Sequence, residues 1–162
     1  MAFISLFTTG GTLDKQYNEY EGQLGFSKTS IHGIIKNSRI TLDINIEELM
    51  LVDSLDMSCL ERERIVKACV ICKTDKIVIT HGTDTMVETA REIAQKKINK
   101  TIILTGAMIP YSIKKSDAIF NISSALSFCQ VLDNGVYIVM NGRYFLWNNV
   151  KKNKEFGVFE SL

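Results

Sequence analysis

Long hydrophobic runs are missing from this sequence. Its apolar stretches reach about five residues, against the ~20 that a membrane helix requires, so no helical membrane span is expected. Its one proline and ten glycines are scattered, and no Pro- or Gly-rich linker divides the chain. Net charge is almost absent as well: 19 Lys and Arg stand against 18 Asp and Glu, leaving +1. Without a basic stripe, a nucleic-acid partner is not expected. The opening residues, Met-Ala-Phe-Ile-Ser-Leu-Phe, have neither a positive segment nor a long apolar one. They read as a first strand rather than a secretion signal, and a cytoplasmic location is expected.

The remaining composition is that of a globular domain: 162 residues, 46% hydrophobic and 23% charged. A chain of this length buries roughly 70% of its unfolded surface, and residues 1–162 are read as one domain without internal repeats. Four cysteines occur, Cys59, Cys69, Cys72 and Cys129. Cys69 and Cys72 form a C-x-x-C, but a structural zinc site needs four ligands. Neither His32 nor His81 lies at a usual spacing to supply one. Ile65, Cys69 and Cys72 fall at i, i+4, i+7, the spacing of a helix's apolar face, and Cys129 continues the stripe Ile119, Ile122, Leu126. These thiols are expected in the core, with redox or metal chemistry as the weaker alternative.

Short apolar runs alternate with helical patterns, which predicts a mostly parallel sheet covered by helices on both faces, an α/β three-layer sandwich of flavodoxin-like or Rossmann-like type. Strands are expected at Phe3–Thr8, Arg39–Ile44, Glu47–Val52, Lys76–Thr80, Thr101–Thr105 and Val136–Met140. A polar stretch from Thr9 to about Thr29 is too long for an ordinary connection and reads as a functional loop. A short helix is expected over Ser30–Asn37. Ser58-x-x-Glu61 and Thr85-x-x-Glu88 read as capping boxes, opening helices to about Cys72 and Lys97. Met86, Ala90, Ile93 and Ala94 mark the buried face of the second. Another helix covers Ser116–Leu132. Beyond it the pattern weakens, and the polar, basic Asn148–Glu155 leads into a small hairpin or tail.

The segments at the strand ends carry the functional information. The first strand runs into Thr9-Gly10-Gly11-Thr12-Leu13-Asp14-Lys15, another into Asp53-Ser54-Leu55-Asp56-Met57, and a third into His81-Gly82-Thr83-Asp84-Thr85. In parallel α/β sheets ligands sit outside the carboxyl ends of the strands, so these hydroxyl- and carboxylate-rich segments are expected to meet. The Gly-Gly turn could cradle a phosphate, although neither G-x-x-x-x-G-K-[ST] nor G-x-G-x-x-G is present. It could instead present a nucleophilic Thr12 beside backbone donors for an oxyanion. A threonine hydroxyl needs a partner to take its proton; the candidates are Tyr17 and a lysine influenced by Asp84.

These residues resemble the bacterial-type L-asparaginases. The resemblance rests on Thr9-Gly10-Gly11-Thr12, on Thr80-His81-Gly82-Thr83-Asp84-Thr85-Met86 with Glu88-Thr89-Ala90, and on Thr105-Gly106-Ala107-Met108-x-Pro110. Ser116-Asp117-x-x-Phe120-Asn121 and Val139-Met140-Asn141 extend it over nearly the whole chain. It implies hydrolysis of the L-asparagine side-chain amide through a threonyl ester, without a metal or other cofactor. Thr12 would be the nucleophile and Tyr17 the phenol accepting its proton, with Tyr20 as the alternative. Thr83, Asp84 and Lys152 would complete the catalytic set, Lys151 being the neighbour that could replace Lys152. Gly11, Ser54, Leu55, Thr83 and Asp84 would line the substrate site, Ser54 on the α-carboxylate and Asp84 on the amino group. Backbone N–H groups near Thr12 and Thr83, with the amide of Thr83 favoured, would form the oxyanion hole.

By the same resemblance His81 supports its loop rather than acting as a base. Asp14 and Lys15 read as a surface pair, with shaping of the lid as the alternative, and Asp56 as a helix N-terminal charge. The usual family member carries a second, C-terminal domain, whereas Thr-Thr-Gly-Gly-Thr-Leu-Asp-Lys and Asp-Ser-Leu-Asp-Met resemble the shorter single-domain asparaginases. Leu55 stands where many members carry a glutamine. A homodimer or homotetramer is therefore expected, another protomer supplying the missing pocket wall. Glutamine or another small amide is the alternative substrate, and an amino-acid-binding or ammonia-donating subunit the alternative role.

Overall fold

In the computed structural model, which describes residues 3–162, the order of elements is β1 (Phe3–Gly10), a 3₁₀ turn (Thr12–Asp14), β2 (Gln16–Asn18), β3 (Gln23–Gly25), α1 (Ile31–Asn37), β4 (Asp43–Val52), α2 (Cys59–Ile71), β5 (Lys76–Thr80), α3 (Met86–Gln95), β6 (Thr101–Thr105), α4 (Ala118–Val131), β7 (Gly135–Met140), β8 (Arg143–Leu146), β9 (Lys151–Asn153) and β10 (Val158–Glu160). The central sheet has the order β4-β1-β5-β6-β7-β8. Its first five strands run parallel, and β8 returns antiparallel to β7. The chain moves from β1 to one side and from β5 to the other. The strand order therefore reverses between β1 and β5, which opens a crevice at their carboxyl ends.

The central strands are apolar at successive positions because both faces are covered. Along β5, Ile77 and Ile79 pack with Ile65 and Cys69 of α2 and with Met86, Ala90 and Ile93 of α3. The intervening Val78 joins Ile31 and Ile34 of α1 and Ala118, Ile122, Leu126 and Cys129 of α4. Three layers result, as the alternation of short runs and helical patterns predicts. Burial pushes the Cys69 and Cys129 thiols up to about 12, so both are protonated packing residues.

Several local expectations change. The two strands expected at Arg39–Ile44 and Glu47–Val52 are one strand, β4. Arg39 instead belongs to the stop of α1: it takes a positive φ of 52°, and its N–H bonds the Lys36 carbonyl. The polar Asn45 that suggested a break pairs with Ser5 of β1, on a sheet edge where one side of the strand meets solvent. Cys72 lies beyond the last turn of α2, half-buried, with its Sγ 3.3 Å from Ser5 Oγ. Ile119 is exposed and lies outside the buried stripe of α4.

The Ser58–Glu61 capping box forms, the Ser58 N–H reaching Glu61 Oε2 at 2.7 Å and Ser58 Oγ accepting from the Glu61 N–H. The Thr85–Glu88 box does not. Thr85 Oγ1 donates to the Ser54 carbonyl at 2.9 Å, so its hydroxyl is committed to the neighbouring loop rather than to its own helix.

Candidate active site

Backbone sterics bring the strand-end segments together. Gly11, at a φ of 74°, lies so close to the loop after β5 that a Cβ there would sit 2.4 Å from the Gly82 nitrogen. On the other side, a Cβ at Gly82 would sit 2.6 Å from Ser54 Cβ and Oγ. Only glycine lets main chain approach main chain this closely. The segments ending β1, β5 and β4 are therefore in mutual contact, and Thr12, Thr83 and Ser54, each next to one of these residues, converge on the crevice.

Thr12 opens the 3₁₀ turn and is half-buried. Its turn closes by hydrogen bonds from the Asp14 N–H to the Gly11 carbonyl (3.2 Å) and from the Lys15 N–H to the Thr12 carbonyl (3.1 Å). Asp14 is no surface residue. It is 0% exposed, with its carboxylate accepting the Ser30 N–H at 2.6 Å and the Thr29 hydroxyl at 3.1 Å. It ties the Thr12 turn to the chain that enters α1. Desolvation raises Asp14 to about 6, against the lowering effect of the Ser30 and Thr29 hydrogen bonds. Lys15 does not pair with Asp14; it crosses to Asp53, beside Ser54. That hydrogen bond holds the Asp53 carboxyl below the usual carboxylate range.

Between these two anchors, β2 and β3 form a hairpin that stands off the sheet. Tyr17 and Tyr20 are 66% and 92% exposed, and among the described residues neither hydroxyl bonds Thr12. Thus the structure brings Thr12 to the crevice but leaves both tyrosines outside it.

The second pair is assembled directly. Lys152 Nζ donates to Thr83 Oγ1 and to Asp84 Oδ1, each at 2.8 Å. Lys151 instead points to Glu160, 3.4 Å away. Lys152 arrives on the β9–β10 hairpin, where it pairs with Phe159; Phe159 and Val150 are buried in the core and fix the hairpin against the sheet. Met108 covers the other side of Thr83, with its Sδ 3.8 Å from Thr83 Oγ1. The Asp117 carboxylate holds the Met108 and Ile109 N–H groups at 3.1 and 3.0 Å.

His81 is 1% exposed, and burial lowers its pKa to about 4, so it is neutral. Its Nδ1 lies 2.7 Å from the Gly82 carbonyl and its Nε2 2.8 Å from Thr89 Oγ1. A carbonyl can only accept, which places the ring proton on Nδ1. Both ring nitrogens are occupied, and His81 braces the loop as the resemblance implies. Leu55 projects as an exposed side chain at the rim. Among the described residues no three His, Cys, Asp or Glu side chains cluster as metal ligands.

A family model described as the N-terminal domain of asparaginase matches residues 3–161. The chain belongs to the asparaginase family. The solved structure of the thermostable L-asparaginase from Thermococcus kodakarensis superposes with a TM-score of 0.86 at 27% identity, over 99% of this chain and 51% of that one. A probable periplasmic L-asparaginase of Haemophilus influenzae is 29% identical over 169 aligned residues, 92% of this chain and 46% of the relative. A glutamyl-tRNA(Gln) amidotransferase subunit of Methanococcus vannielii is 33% identical over 146 residues, 86% of this chain and 34% of the relative. The chain thus spans about half the length of these family members or less. Membership accounts for the sheet and for the strand-end motifs alike.

Sequence reasoning missed three contributors: the buried Asp14, the Lys15–Asp53 bridge, and Arg62, whose guanidinium bonds the Thr85 and Thr89 hydroxyls. Only the last had a usable signal, a cation on the same α2 turns as buried Ile65 and Val66.

Proposed function

We propose that this chain is an L-asparagine amidohydrolase. Thr12 Oγ attacks the side-chain amide carbon, the amide nitrogen leaves as ammonia with the proton it gains, and water cleaves the resulting ester to aspartate. The observation that carries the reading is the Lys152–Thr83–Asp84 set, hydrogen-bonded at 2.8 Å and lying across the Gly11–Gly82 contact from Thr12. An amino-acid-binding module needs a carboxylate and a hydroxyl, not a second hydroxyl held by a lysine.

In this reading Ser54 holds the substrate α-carboxylate, Asp84 its ammonium group, and the Thr83 N–H the developing oxyanion. Tyr17, with Tyr20 as the alternative, takes the Thr12 proton once the β2–β3 hairpin folds inward. The exposed Leu55 and the open hairpin leave the rim uncovered, in keeping with an assembly of two or four copies in which a neighbour closes the pocket. Four free thiols, Cys69 and Cys129 buried, suit a reducing, cytoplasmic compartment.

Ammonia release with L-asparagine and with L-glutamine, beside Thr12→Ala, tests this. Asparagine turnover that vanishes in the variant is the expected result; normal release by Thr12→Ala excludes the mechanism. One methylene changes binding by only ~1–3 kcal/mol in a hydrophobic pocket, so the glutamine rate sets the specificity. The match to an amidotransferase component supports a second reading, in which the ammonia passes to a partner enzyme. Asparagine hydrolysis by the isolated protein that no partner accelerates argues against it.

A further inference from the structure

Arg62 lies on α2, outside every segment assigned to the reaction, yet its guanidinium reaches two of them. Its side chain is 12% exposed. Nη2 donates to Thr85 Oγ1 at 3.2 Å, and the Thr85 hydroxyl donates in turn to the Ser54 carbonyl at 2.9 Å. Nε donates to Thr89 Oγ1 at 2.9 Å, and Thr89 Oγ1 lies 2.8 Å from His81 Nε2, with His81 Nδ1 on the Gly82 carbonyl. One planar fork therefore feeds two relays. The first ends on the loop after β4 at Ser54, the second on the loop after β5 one residue before Thr83. Glu92, 3.9 Å from Nε, is the only carboxylate within ion-pair distance of Arg62 among the described residues.

Fork geometry is what an ammonium cannot reproduce: the guanidinium presents several donors in one rigid plane, aimed at separate acceptors. Each threonine can donate its own hydrogen bond onward while accepting from arginine, because a hydroxyl accepts and donates at once. Thr85 is thereby withdrawn from capping α3, and the capping-box pattern Thr85-x-x-Glu88 is left unformed. The polar chain is continuous from α2 to both sides of the crevice.

We infer that Arg62 is a positioning residue of the amidohydrolase site, fixing the substrate loop at Ser54 through Thr85 and the catalytic loop at Thr83 through Thr89 and His81. This rests on the proposed function for its kinetic consequences, but the relay itself is independent of it. The two branches predict different kinetic signatures. Thr85→Val cuts the Ser54 branch and raises KM for L-asparagine about tenfold with little change in kcat, a hydrogen bond's worth of binding. Thr89→Val cuts the His81 branch and lowers kcat about tenfold with little change in KM. Arg62→Met, which keeps a comparable apolar stem, shows both effects.

The test combines steady-state kinetics of these variants with NMR titration of the two histidines. The Arg62 charge helps depress His81, so in Arg62→Met the His81 titration moves upward. That shift, with the KM and kcat effects split between the two threonine variants, is the expected result. Arg62→Met with unchanged kinetics and an unmoved His81 overturns the inference. So do kinetic losses in all three variants that simply track lost stability, with KM and kcat moving together. If the wild-type protein releases no ammonia from asparagine or glutamine, the functional reading fails, and the His81 titration in Arg62→Lys, which keeps the charge and lacks the fork, decides the relay: a shift supports it and no shift overturns it. Should Arg62→Met not fold, Arg62→Lys keeps the charge and lacks the fork; a loss of turnover of about fivefold or more supports the inference, and wild-type turnover overturns it.

Discussion

Acid weakens this protein through one buried imidazole. His81 has an ordinary pKa of 6.5 and a folded-state value of about 4, with desolvation as the main cause. A histidine with a depressed folded pKa contributes stability that is present above its unfolded pKa and is lost as pH falls towards the folded value. At about pH 5 the unfolded chain binds nearly one more proton at this site than the folded one, and the accumulated loss relative to about pH 7.5 is ~2 kcal/mol. Asp14 works in the opposite direction. Its pKa is raised to about 6 from 3.8, so over the same interval protonation restores ~1.4 kcal/mol. The wild-type profile therefore hides much of the effect. The difference between wild type and His81→Gln exposes it, since the amide does not titrate and Asp14 is common to both. Urea unfolding of the pair at about pH 7.5 and about pH 5 is expected to show the stability gap shifting by ~2 kcal/mol in favour of the variant at the lower pH. Parallel profiles across that interval refute the reasoning, and with it the neutral imidazole bonded to Gly82 and Thr89.

Asp14→Asn inverts this experiment: with the buried charge removed, the variant gains ~1.4 kcal/mol relative to wild type as pH rises from about 5 to about 7.5, read from the same urea midpoints. On the proposed function, Lys152→Met, which removes the donor to Thr83 and Asp84, is expected to lower kcat about 100-fold, the scale of losing one positioned donor at a reacting site. Lys151→Met, which removes a pair that is half in solvent, should leave ammonia release within about twofold and stability within ~1 kcal/mol. Gly82→Ala forces a methyl into Ser54; a stability loss of ~1–3 kcal/mol with a raised KM for asparagine is the outcome to seek by calorimetry and kinetics.

The sheet was legible because buried parallel strands carry unbroken apolar centres, as in Lys-Ile-Val-Ile-Thr and Thr-Ile-Ile-Leu-Thr, and here such runs alternate with helical patterns. Edge strands obey weaker rules. Arg143–Leu146 carries three exposed residues in four, so its short apolar run follows neither the buried nor the alternating pattern, and β4 alternates with polar residues that looked like a break. The site was legible where the chemistry is local: a Gly-Gly turn before a threonine, and Thr-Asp after a strand. It was illegible where the partner comes from afar. Nothing near Asp14 in the sequence announces the Thr29 and Ser30 groups that receive it, and Thr85-x-x-Glu88 has the spacing of a helix cap although its hydroxyl is taken by Ser54. Spacing decides local hydrogen bonds only when no tertiary partner competes.

The contact of Gly11 with Gly82 also limits what mutagenesis can see. Where main chain lies against main chain, the N–H groups facing the crevice belong to the peptide backbone, and no codon change deletes them except to proline, which also forces the local φ. On the proposed reading, a saturation library over this protein would record side chains such as Thr12, Ser54, Thr83, Asp84 and Lys152 as the apparatus and report the two glycines merely as intolerant. Replacing single amide bonds by esters at residues 12 and 83, a chemical edit rather than a genetic one, is the way to weigh donors that carry no side chain.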